Sequence, residues 1–168
     1  DASEIAAGFS DRDDFEFIEF MNSGSQTINL SGVRFIAGIT FDFSTAGIRT
    51  LEPGEHLLIV NDLAAFEQRY GNALSSQIAG EYSGNLSNDG ELLTLVDASD
   101  LNIHSFTYND QSPWPEGADG DGFTLVLISP SQQPVPDHGD PASWRASVAT
   151  GGSPGESVGT NYPDWRIA

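Results

Sequence analysis

Carboxylates dominate the reactive side chains, with 25 Asp and Glu set against six Arg, no Lys, three His and no Cys. On a glycine-rich stretch their closest spacing is Asp119-Gly120-Asp121-Gly122, and Asp137 and Asp140 stand in a later loop. Hard oxygen ligands placed in this way suit Ca²⁺, which takes six to eight oxygens at about 2.3 to 2.6 Å. The EF-hand spacing is absent, because no Glu stands at the twelfth position. The competing reading has these Asp side chains bonding turn amides. No motif calls for any cofactor other than calcium. Glu16 and Glu19 are three apart on an expected strand, so they point to opposite faces and cannot form an acid/base pair. One is expected at a solvent face and the other on turn amides.

Nucleophilic chemistry has no candidate. There is no G-x-S-x-G elbow, and Gly152-Ser153-Pro154 lacks a following helix to supply an oxyanion site. His56 and His104 lie among apolar strand residues, where a hydrogen-bonded structural histidine is expected, whereas His138 lies in a loop beside Asp137 and Asp140. No catalytic residue is therefore assigned. A metal-dependent hydrolase using the acidic loops around Asp119 and Asp137 is the rival class. Pro113-Trp114-Pro115, together with Tyr108, could offer an aromatic platform to a sugar; otherwise Trp114 seals one end of the fold.

Composition narrows the partners. A net charge of −19 repels a nucleic-acid backbone, so DNA and RNA binding is not expected. No run of 18 apolar residues exists, which argues against membrane insertion. The segment after Asp1 has neither a basic nor an apolar leader region, so mature protein or an excised fragment is expected. The 168 residues suit a single domain, and the abundance of Gly, Ser, Asn, Asp and Pro implies many short elements joined by turns.

The elements that must position these side chains are read from their period. Residues 1–14 show none and read as an N-terminal arm. Phe15-Glu16-Phe17-Ile18-Glu19-Phe20 is apolar on both faces, as in a strand at the middle of a sheet. Further strands are expected over 28–30, 33–36, 41–43, 56–60, 92–96, 103–108 and 123–128. Turns are expected at Pro53-Gly54, Asn88-Asp89-Gly90 and Asp97-Ala98-Ser99-Asp100. Asn61-Asp62, then Leu63, Phe66 and Tyr70, closed by Gly71, predicts a capped helix over about 62–70 that crosses between two sheets. Strand spacing without βαβ alternation predicts an all-β, antiparallel β-sandwich over 15–150, with 151–168 as a linker.

Six stretches in order carry a resemblance: Phe15 to Phe20 with Asn22 and Gly24; Asn29 to Phe35; Leu51-Glu52-Pro53-Gly54-Glu55; Phe66 with Tyr70-Gly71; Leu86 to Glu91; and Pro113-Trp114-Pro115 through Gly120. Together they resemble the lamin tail domain, an immunoglobulin-like sandwich. Asp140 to Ser147, followed by Gly151-Gly152-Ser153-Pro154-Gly155, resembles its bacterial, exported branch. The resemblance implies an extracellular or cell-surface setting among other domains, and a non-catalytic interaction or spacer role with a protein or cell-surface polymer as partner. The strand that usually opens the family is absent before the arm. Such a gap implies either a late start, or another segment in its place, or self-association through an exposed sheet edge.

Overall fold

The computed structural model describes residues 2–118, 122–132, 134–155 and 166–167. In chain order the regular elements are α1 (Ala2–Ala7), β1 (Phe17–Met21), β2 (Ile28–Asn29), β3 (Arg34–Ala37), β4 (Phe41–Asp42), β5 (Thr50–Leu51), β6 (His56–Val60), α2 (Leu63–Tyr70), β7 (Ile78–Glu81), β8 (Glu91–Val96), β9 (Asn102–Tyr108), β10 (Leu125–Leu127), β11 (Trp144–Ala146) and β12 (Arg166–Ile167). One sheet runs β11-β10-β12-β1-β6-β7, the other runs β4-β3-β8-β9, and β2 pairs with β5 as a separate ribbon. The immunoglobulin-like β-sandwich expected from the sequence is present.

Side chains from both sheets meet in one core that includes Phe20, Phe35, Phe43, Leu57, Ile59, Leu95, Leu127 and Trp144. A second, smaller core of Phe17, Leu58, Val60 and Phe66 lies on the other face of β1 and β6, beneath α2. β1 and β6 are therefore covered on both faces, which explains why apolar side chains point both ways along them, with the buried Glu19 as the interruption inside β1.

The helix forms where its capping signals place it. Asp62 Oδ1 accepts the Ala65 amide at 2.8 Å, and Gly71, at φ +74°, closes the last turn onto Glu67 O. Its route differs from the expected one. α2 connects β6 to β7, which are parallel neighbours in the same sheet, so it is a crossover within one sheet and not between two. β7 carries one large apolar residue and Gly80, too weak a pattern to read as a strand.

Two further departures concern the ends. The arm over 1–14 contains α1, which docks on α2: Arg69 Nε donates to Glu4 Oε1 at 2.7 Å, and the guanidinium carbon lies 3.5 Å above the Phe15 ring. α1 left no periodic signal because its only large apolar residue, Ile5, is exposed. Within 151–168, Arg166 and Ile167 stand between β1 and β10 and join them into one sheet. Asp1, Gln133 and residues 156–165, with Tyr162 and Trp165, lie outside the described residues.

Candidate functional site

The two carboxyls flanking the start of β1 are both buried. Glu16 reaches the bend before β8, where its Oε2 accepts the Leu86 amide at 2.8 Å and lies 3.2 Å from the Tyr82 hydroxyl. Burial pushes its carboxyl up to about 7. Glu19, fully enclosed, accepts the Gly155 amide at 2.7 Å and pairs with His56 Nδ1 at 2.9 Å. The expected bond to turn amides is present at Glu16. The expected solvent face is not, because β1 is an inner strand with packed material on either side. Opposite projection keeps the two groups in separate surroundings, and neither can assist the other in proton transfer.

The histidines divide differently from their sequence neighbourhoods. His138 turns its ring inward from the loop to pack at a tilt against His104 of β9, with ring centroids 4.5 Å apart, and against Phe106 and Trp144. Burial lowers both imidazoles, His104 to about 4. These rings border a cavity of about 30 Å³ between the sheets, lined also by Phe20, Phe35 and Leu95. At that size it holds little more than a water molecule.

The four proposed calcium ligands fall into two groups. Asp119 and Asp121 lie outside the described residues. Asp137 Oδ1 accepts the Gly139 amide and Asp140 Oδ1 the Ala142 amide, each at 2.9 Å, so both carboxylates cap their own turns. Among the described residues no three His, Asp or Glu side chains are grouped to hold a metal ion.

The aromatic-platform reading of Trp114 and Tyr108 is overturned. Trp114 is 8% and Tyr108 7% exposed, so neither ring offers a face to a sugar. Trp114 packs toward Trp144, whose Nε1 donates to His138 O at 2.8 Å, and together they seal one end of the sandwich. The Tyr108 hydroxyl lies 2.9 Å from Ser87 O and 3.1 Å from Glu91 Oε1, tying β9 to the bend before β8. A depression of about 90 Å³ opens beside it, with Glu16, Ser87, Asn109 and Asp110 on its walls together with Leu86, Phe123 and Leu125.

The feature that sequence reasoning missed is a surface. β9 ends the second sheet, and no described strand pairs with its outer side. Ile36, Leu92 and Ile103 are exposed on the outer face of that sheet, and Ser105 and Thr107 are exposed on β9 itself. The available signal was seven consecutive residues, Asn102 to Tyr108, without a charge or a proline.

The sequence matches the family model described as Lamin Tail Domain over residues 2–110. The chain belongs to the lamin tail domain family. Its members are immunoglobulin-like interaction modules, and the sandwich described above agrees with that fold. Five of the six resembling stretches fall within the match, which ends before Pro113. No curated protein and no solved structure matches this lamin tail domain.

Proposed function

We propose that this lamin tail domain is a non-catalytic interaction and spacer module of a secreted or cell-surface multi-domain protein, with a protein or a cell-surface polymer as its partner. Membership of the family carries the reading. It is supported by the use made of the buried titratable groups: Glu16 holds the bend before β8, Glu19 holds His56 and the Gly155 amide, and the His104 and His138 rings pack against each other beside Phe106 and Trp144. Groups held this way order the fold and are not free to move protons to a substrate. The likeness of Asp140 to Gly155 to the exported bacterial branch supports the extracellular setting.

The test has two arms. The purified chain, with added Ca²⁺ or Mn²⁺, is assayed against chromogenic esters, phosphodiesters and glycosides, and the rates are expected to equal those in buffer. The immobilised chain is also exposed to secreted proteins and surface polymers of the producing cell, and saturable retention is expected. Turnover that disappears in Asp137→Asn or Asp140→Asn would overturn the reading in favour of a hydrolase.

A further inference from the structure

A sheet edge with unpaired amides and carbonyls is a template for another strand, and proteins suppress it by keeping edges short, charged or proline-bearing. Among the described residues, three of the four edges of the two larger sheets follow that rule in length: β4 has two residues, β11 three and β7 four. β9 has seven, Asn102-Ile103-His104-Ser105-Phe106-Thr107-Tyr108, with no Lys, Arg, Asp, Glu or Pro. A register shift opposite Leu95 and Val96 leaves His104 to Tyr108 in regular pairing with β8. The inner side of this stretch is already covered: the His138 ring lies 5.3 Å from Phe106 and the Trp144 ring 5.7 Å. A strand added at the edge would extend the sheet without uncovering the core.

We propose that the outer side of β9 is a docking edge for an extended, basic segment of a partner protein, bound by main-chain hydrogen bonds as a further strand of the second sheet. The proposal rests on the interaction-module reading and names its surface. Main-chain pairing of this kind supplies affinity, and alternate side chains supply choice of partner. Charge selects the occupant. The neutral strand is bracketed by Asp97 and Asp100 at one end and by Asp110 and Asp89 at the other. Arg34 meets the first of these ends, pairing with Asp100 and donating to the Asp97 carbonyl oxygen, whereas among the described residues no ion pair engages Asp89 or Asp110. A second copy in antiparallel register would set one acidic end against the other, on molecules that each carry −19. A segment with Arg or Lys near its ends meets attraction at both.

An ¹⁵N-labelled full chain is titrated with a peptide of alternating Val and Arg, and amide shifts and exchange protection are followed. Perturbation is expected to centre on Ile103 to Tyr108, with affinity falling as salt rises. N-methylation of alternate peptide amides removes the donors and is expected to weaken binding by about ten-fold or more. S105K/T107K, at two exposed positions, is expected to weaken it with the amide spectrum elsewhere retained; should that variant not fold, the N-methylated peptide decides alone. Shifts scattered over the acidic surface and indifferent to N-methylation, or no shifts on β9, would overturn the proposal. Concentration-dependent dimerisation lost in S105K/T107K would overturn it in favour of a second copy. If S105K/T107K retains its natural partner as strongly as the parent, the docking edge fails while the interaction module stands.

Discussion

Glu19 shows what a carboxyl contributes when it serves architecture. It joins β1, β6 through His56, and the Gly155 turn, three segments distant in sequence. Removing one partner of an enclosed hydrogen-bonded pair leaves the others desolvated and unpaired, at about 1 to 3 kcal/mol. Glu19→Ala is expected to lose about that much in urea unfolding, with the sandwich retained. The titratable groups also set opposing pH slopes. His104, lowered from 6.5 to about 4, contributes stability that is complete above pH 6.5 and is lost as pH falls toward 4. Glu16, raised from 4.5 to about 7, contributes stability that is complete below pH 4.5 and is lost as pH rises through 7. The two partly cancel between pH 4.5 and 6.5. In His104→Phe, melting temperature is expected to fall more steeply with rising pH across that window, and adding Glu16→Gln is expected to flatten it. Parallel curves for parent and His104→Phe would refute the assignment.

At the scale of elements, turns fix register. Gly90 has φ +91°, and a Cβ there would run into the Tyr108 carbonyl oxygen and lie 2.7 Å from Asn109 Cα. Gly90→Ala is expected to cost about 2 kcal/mol or more, and circular dichroism melts would record it. The same chemistry decided what was legible. β6 and α2 were readable to their boundaries because a Pro-Gly turn, an Asp cap and a terminal Gly punctuate them. β5, β7 and β12 each carry a single large apolar residue, so no alternation registers, whereas Ile28-Asn29-Leu30 and Phe41-Asp42-Phe43 alternate and were readable. Trp114 was legible as a seal or a platform but not as one over the other, since that depends on whether Trp144 returns to meet it. The inward ring of His138 was hidden for a related reason: its sequence neighbours are acidic, and its spatial neighbours come from β9. For Asp137 and Asp140, caps of their own turns, a chelator is expected to leave the melting temperature unchanged; a fall in melting temperature would restore a calcium role.

For the whole molecule, the net charge of −19 is a standing repulsion that the folded state concentrates. The Debye length falls from about 10 Å at 0.1 M to about 3 Å at 1 M salt. Stability is therefore expected to rise with NaCl over that range, measured by urea midpoints at fixed pH. A midpoint that falls would mean that close pairs such as Glu4 with Arg69 outweigh the general repulsion.

The position of β12 also bears on how the chain is made. Ile167 pairs with Ile18 on one side and Leu125 on the other, so this inner rung of the larger sheet is synthesised after both of its neighbours. Until residues 166–167 leave the ribosome, β1 and β10 lack that rung between them, and the nascent sandwich holds open an inner seam. Such long-range closure is slow, so chaperone need and misassembly are expected to concentrate in the interval before the rung is in place.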